Sequence, residues 1–239
     1  MLVNVKKILK YHEVEPIVLG TSQKGQDSFI QYTFEKLGVT NKYYVEFGAC
    51  DGWRMSNTAY LRVNDHWTGL LLEGDPGFTE NPLINLHNRR ITKDNICSIF
   101  KEFMVPNSFD FLCIDVDGCD YWMVKSILEG NYSPRVIMIE TNVRFEPHES
   151  MVLKYNSDWN WNCDHTTWYG ASPYAFKKLF NANDYIPVWM HLDDMIVVRK
   201  DVLQNSGYDE PDWLYVYPQS NAKLYEKISE IKKDEWIEV

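Results

Sequence analysis

Tyr43-Tyr44-Val45-Glu46-Phe47-Gly48-Ala49-Cys50-Asp51-Gly52-Trp53 is the stretch from which the rest of the chain can be read. Apolar and aromatic residues around Glu46 make a short buried strand, and Gly48 and Gly52 let the backbone turn where a side chain would clash. Ser56 then reads as the N-cap of a helix over residues 57–63. A strand therefore passes through a glycine loop into a helix whose first amides face that loop. A second strand, over residues 68–72, ends at Glu73, the position at which a doubly wound sheet holds a ribose by its hydroxyls.

The loop departs from the three-glycine dinucleotide fingerprint, because Ala49 and Cys50 stand between Gly48 and Asp51. Acids at Glu46 and Asp51 would repel a diphosphate. They suit a cofactor that carries a cationic amino group and two ribose hydroxyls, as S-adenosylmethionine does.

Further short motifs follow in a set order. Ser22-Gln23-Lys24-Gly25-Gln26-Asp27 precedes the glycine loop, Ser56-Asn57-Thr58 follows it, and Trp67-Thr68-Gly69-Leu70-Leu71-Leu72-Glu73 closes the second strand. Asp110-Phe111-Leu112-Cys113-Ile114-Asp115-Val116-Asp117-Gly118 comes next, then matches over residues 135–140 and 169–172. In order and spacing this series resembles the FkbM-type S-adenosylmethionine-dependent methyltransferases, from Ser22 to Arg199. The resemblance implies methyl transfer to a hydroxyl acceptor.

The chain has 239 residues, enough for one α/β domain with a full core. We expect a single domain over residues 1–239, with an insertion at about 145–169 on the acceptor side and a tail over 203–239. A formal net charge of −10 and no run of basic residues longer than a pair argue against a nucleic-acid partner. Five cysteines without metal-site spacing point to a reducing compartment, and no apolar run is long enough for a membrane span, so a cytoplasmic protein is expected.

Helical spacing of Phe29, Ile30, Phe34 and Leu37 places a helix over residues 27–37, ended by Gly38. Gln23, Gly25 and Asp27 just before it could cover the cofactor, although Ser22 and Asp27 read equally well as caps. Alternating elements follow: strand 89–92, helix 96–103, strand 109–114, helix 121–128, strand 136–139. Such alternation argues a parallel sheet. After a helix started by Ser172 and Pro173, strands 185–190 and 195–199 are joined by only a few residues and must be antiparallel. Five parallel strands plus a C-terminal antiparallel hairpin, with helices on both faces, make the Rossmann-like seven-stranded methyltransferase sheet. A charged helix over 221–233 ends the chain and could dock on the domain or on a second copy, giving a homo-oligomer.

Chemistry is expected at the carboxyl ends of the strands. Asp115 and Asp117 follow the fourth strand and Glu140 ends the fifth. A carboxylate desolvated beside others holds protons more tightly, so Asp115, then Asp117, is the expected base for removing a hydroxyl proton, with Glu140 beside them. His148 and His165 compete for that role. Glu46, Gly48, Asp51 and Asn57 are expected to hold the methionine end of the cofactor, Glu73 its ribose, and Asp94 its adenine, although Asp94 also reads as a helix cap. Trp159, Trp161 and Trp168, interleaved with Asn160, Asn162 and Asp164, suit a sugar or glycan acceptor, or else anchor a long loop. Asp115, Asp117 and Glu140 could also hold magnesium or manganese. The pair Asp115 and Asp117 also admits a metal-dependent glycosyltransferase using a sugar nucleotide, and the fold admits a silent binding module.

Overall fold

The computed structural model describes residues 6–16, 21–158, 169–217 and 235–239. Its main sheet has seven strands in the order β3-β2-β1-β4-β5-β8-β7. β1 (Tyr43–Phe47), β2 (Thr68–Glu73), β3 (Leu86–Asn88), β4 (Phe111–Ile114) and β5 (Val136–Glu140) pair in parallel. β8 (Asp194–Arg199) is antiparallel to β5, and β7 (Tyr185–His191) is antiparallel to β8. This is the Rossmann-like methyltransferase arrangement, and its terminal hairpin is as expected.

Strand alternation explains why both faces are covered. On β1, Val45 and Phe47 join one core with α3 (Ile96–Glu102), α4 (Asp120–Glu129) and α5 (Pro173–Asn181). Tyr44 joins the other, with Phe29, Ile30 and Phe34 of α1 (Gln26–Leu37) and Leu61 of α2 (Ala59–Asn64). Residues on β4 and β5 divide the same way: Leu112, Ile137 and Ile139 face the first core, Phe111, Cys113 and Met138 the second. A sheet buried on both faces needs apolar residues at nearly every position, so Glu46 and Glu140 stand out as the two acids within β1 and β5.

Several boundaries differ from the sequence reading. The third strand lies at Leu86–Asn88 and not at 89–92, because a turn of 3₁₀ helix at Pro82–Ile84 and a left-handed Asn85 (φ 56°) deliver Leu86 beside Leu71. Leu86 is the residue that buries there, and Arg89 and Arg90 stay exposed. The helix after the glycine loop starts at Ala59, two residues later than expected, with the Ser56 hydroxyl accepting the Ala59 amide at 3.1 Å. The β7–β8 turn is only two residues, Leu192 and Asp193, with Leu192 at φ 57°.

The expected insertion contains a strand, β6 (Met151–Leu153), paired antiparallel with β9 (Trp236–Glu238) at the C-terminus. The tail packs back on the domain: after α6 (Lys200–Asn205), Val216 of α7 (Trp213–Val216) and Tyr217 enter the first core. Trp213 and Tyr217 donate to the carbonyls of Pro147 and Phe145, both at 2.8 Å. The helix expected over 221–233 lies outside the described residues. Among the described residues no helix is long and apolar enough to cross a membrane.

The amino ends of the strands are tied by Asp110, which is fully buried. It accepts from Arg135 at 2.7 Å and from the amides of Thr40, Asn41 and Lys42 at 2.8, 2.9 and 2.7 Å. Burial alone would push this carboxyl up, but Arg135 and the Thr40 and Lys42 amides outweigh it and hold it below the ordinary carboxylate range. Its stabilising effect is therefore complete above the unfolded value and is lost as pH falls towards the folded one. Asp110→Asn should cost about 3–5 kcal/mol at neutral pH, since Arg135 is left buried and unpaired. Urea titrations should show that gap to wild type narrowing below about pH 4.

Candidate functional site

The carboxyl ends of the strands open into a crevice of about 720 Å³. Its geometry starts at Gly48, which has φ 68° and lies against the backbone of the β4–α4 loop. A Cβ there would collide with the Asp115 carbonyl oxygen, so the two loops can cross only where residue 48 lacks a side chain. Beyond it, the amides of Cys50 and Asp75 each donate to one oxygen of Glu73, both at 2.8 Å. Glu73 is thereby held at the end of β2, facing the crevice.

Of the expected cofactor residues, Gln23, Gly48, Asn57 and Glu73 line the crevice. Glu46 does not. Its buried carboxylate accepts from Ser56 Oγ at 2.7 Å, the Asn57 amide at 2.7 Å and Thr58 Oγ1 at 2.5 Å, tying the end of the glycine loop to β1. Burial pushes this carboxyl up despite those donors. Asp51 is exposed and caps its own turn, accepting from the amides of Trp53 and Arg54 at 2.9 and 2.7 Å. Gly25, at φ 82°, is the N-cap position of α1. Asp27 is buried and bonded to the Ser22 amide and hydroxyl at 3.0 and 2.7 Å, which folds residues 21–25 back over the helix start. These two shape the segment that carries Gln23 and Lys24 to the crevice without lining it themselves.

Asp94 also stands outside the crevice, with its carboxylate 2.9 Å from the Lys93 ammonium. Because β3 ends at Asn88, Asp94 comes well past the strand end, and Arg90, Ile91 and Thr92 take that wall instead. His148 is exposed. His165 and the Trp159, Trp161 and Trp168 group, with Asn160, Asn162 and Asp164, fall outside the described residues. From that side of the chain, Arg144, Tyr155, Asn156 and Tyr169 reach the crevice.

Asp115, Asp117 and Glu140 do converge: one carboxylate oxygen from each lies within 4.8 Å of the others. Asp120 folds their loop, accepting from the Val116 and Gly118 amides at 2.9 and 3.0 Å, and Asp117 takes a left-handed φ of 55°. Burial, then the Asp117 charge, pushes Asp115 well up; burial, then Asp115, does the same to Glu140. Burial raises Asp117 as well, with Glu73 adding to it and Lys24 opposing. Asp120 is pushed up to about 6, mainly by burial.

Sequence reasoning missed the part played by the β7–β8 turn. Lys24 Nζ bonds both oxygens of Asp193 at 2.7 and 2.8 Å, Gln26 donates to Asp194 at 2.7 Å, and His191 Nε2 lies 2.8 Å from the Lys24 carbonyl. The Asp193 carbonyl accepts from the Thr141 amide and hydroxyl at 2.7 and 2.8 Å. The turn thus joins residues 22–26 to the end of β5. One signal was available: once β8 pairs with β5, Asp194 falls opposite Glu140.

No protein-family profile and no curated protein matches this sequence. Among solved structures, the MycE methyltransferase from the mycinamycin biosynthetic pathway, in complex with Mg and SAH, aligns over 72% of this chain and 49% of its own, at 11% identity and TM-score 0.44. An S-adenosylmethionine-dependent methyltransferase from Clostridium acetobutylicum aligns over 72% and 89%, at 9% identity and TM-score 0.42. An O-methyltransferase from Bacillus cereus, in complex with SAH, aligns over 80% and 84%, at 17% identity and TM-score 0.40. These are likenesses of fold, and the chain spans about half the length of MycE.

Gly48→Ala tests the loop crossing. The added methyl should cost about 1–3 kcal/mol from the clash alone, measured as a lowered urea midpoint.

Proposed function

We propose that this chain is an S-adenosylmethionine-dependent methyltransferase that acts on a hydroxyl. The observation that carries the reading is Glu73, held by two loop amides at the end of β2 and facing a crevice entered past Gly48. Each of its carboxylate oxygens spends one acceptor position on an amide and keeps another. Two ribose hydroxyls can take those positions. Asn57 contributes a second feature: it lines the crevice, and its Oδ1 is buried with no hydrogen-bond partner among the described residues. The ammonium of the methionine portion is a donor of the right kind for it, and the ordered series of FkbM-like motifs fits the same reading.

The reaction requires the acceptor oxygen to attack the sulfonium methyl in line with the leaving sulfur. A C–O bond forms, the C–S bond breaks with its electron pair passing to sulfur, and the hydroxyl proton leaves. Asp115 is our first choice for receiving that proton, with Asp117 and Glu140 beside it. Tyr155, Asn156 and Tyr169 line the same crevice, aromatic and amide residue types that suit a sugar or glycan. A sugar-nucleotide diphosphate is disfavoured next to Glu73, Asp115, Asp117 and Asp193, where it would add negative charge to an acidic site.

Thermal-shift and calorimetric titrations test this directly. S-adenosylmethionine and S-adenosylhomocysteine should raise the melting temperature. Glu73→Gln should weaken S-adenosylhomocysteine about 10–100-fold, the equivalent of one or two hydrogen bonds to a charged group. Asp115→Asn should retain that binding and lose methyl transfer. Stabilisation by a sugar nucleotide with manganese, and none by either adenosyl compound, would replace this reading with glycosyl transfer.

A further inference from the structure

Two stretches of chain far apart in sequence face each other across the crevice. Glu73, at the end of β2, and Ile91 and Thr92, which follow β3, line it on one side. Tyr155, Asn156 and Ser157, which follow β6, line it on another. The two sides are joined, because the Arg90 guanidinium donates to the Ser157 carbonyl at 2.7 Å. Beside that bond, the Lys93 ammonium lies 4.8 Å from the centre of the Tyr155 ring, and the Tyr155 hydroxyl lies 3.4 Å from the Asp94 carboxylate.

Each partner in the Arg90–Ser157 bond is itself anchored. Asn95 fixes the turn that carries Arg90: its Nδ2 donates to the Arg90 carbonyl at 3.0 Å, and its Oδ1 accepts from the Thr92 amide at 2.7 Å. On the other side, Cys119 Sγ lies 3.4 Å from the Asn156 carbonyl, and Trp122 Nε1 donates to the Leu153 carbonyl at 2.8 Å. Cys119 and Trp122 belong to the start of α4, so residues 153–157 hang between that helix and the turn after β3. Arg90 is exposed, and a hydrogen bond open to water adds little to folding. What the bond does fix is spacing. Methyl transfer is sensitive to spacing, because the reacting atoms must lie about 3–3.5 Å apart and in line.

We propose that Arg90 is a positioning residue that braces the Tyr155–Ser157 side of the crevice against the Glu73 side, so that an adenosyl compound bound on the second orders the first. The ligand in this statement rests on the methyltransferase reading, whereas the brace itself is a matter of the protein alone. Arginine suits the task, because its planar fork of donors loses less freedom per hydrogen bond than a lysine ammonium does. The acceptor then meets residues 155–157 already in place when the cofactor is bound. By linkage, an acceptor that orders those residues tightens the adenosyl compound by the same factor.

The test is hydrogen–deuterium exchange of the full chain, read on peptides covering residues 154–158. It is run without ligand and at saturating S-adenosylhomocysteine, so that differences in affinity do not enter. In wild type the ligand should slow exchange of these peptides. Ligand-free Arg90→Ala should exchange them about tenfold faster than wild type, the equivalent of one hydrogen bond to a charged group, and S-adenosylhomocysteine should protect them far less. Arg90→Lys, which keeps a cationic donor, should recover part of that protection. Arg89→Ala removes a neighbouring arginine that pairs with Glu80 outside the crevice, and it should behave as wild type does. A merely structural role would lower the melting temperature and speed exchange throughout the chain, whereas here the change is confined to residues 154–158. The proposal is overturned if ligand-free Arg90→Ala exchanges these peptides at the wild-type rate, or if S-adenosylhomocysteine protects them equally in both proteins. Calorimetry on the wild type separates the two readings. If S-adenosylhomocysteine binds and leaves residues 154–158 unchanged, the brace fails and the methyltransferase reading stands; if it does not bind, both fall.

Discussion

The site depends on one close approach, the passage of the β1–α2 loop against the Asp115 carbonyl at Gly48. Everything on the Glu73 side of the crevice is reached through that loop, and everything on the acid side hangs from the loop it touches. A residue with a side chain would drive the two apart and separate the ribose-binding candidate from the acid cluster. Parallel strands make such a crossing possible, because the loops leaving β1 and β4 emerge at the same end of the sheet as direct neighbours.

The contrast between the two ends of the sheet is one of compensation. At the amino ends, Asp110 is surrounded by a guanidinium and three amides and works as a knot that holds β4 to the turn before β1. At the carboxyl ends, acids of the same kind gather with few donors. Folding selects strongly against unpaired buried charge, so an arrangement that tolerates it has been held in place by the rest of the structure. The β7–β8 turn is part of what holds it, since Asp193 ties residues 22–26 to Thr141, next to Glu140. Such local conflict between stability and chemistry is where functional sites are found.

Much of the fold was legible because periodicity and turn chemistry are local. The run of apolar residues in β1, the helical spacing in α1 and α5, and the short β7–β8 connection each follow from residues close in sequence. The misplaced third strand shows the limit. The local pattern admits a strand over residues 89–92, whereas the strand is set by a left-handed Asn85 that aligns Leu86 with Leu71, a long-range pairing that no local pattern reveals. The small β6–β9 sheet escaped for the same reason, since its two strands are joined by pairing across more than eighty residues of chain.

For the acids, the sequence by itself determined their positions: Glu46 and Glu140 within apolar strands, Glu73 at a strand end, and Asp115 and Asp117 just after one. Only the tertiary structure decided their roles. Glu46 and Glu140 are each the one acid in an apolar strand, on the same face of the sheet, yet Glu46 is consumed by Ser56, Asn57 and Thr58 while Glu140 Oε2 has no hydrogen-bond partner among the described residues. The physical reason is that a carboxylate's role is set by its donors. The donors here come from loops that meet only when the sheet is assembled.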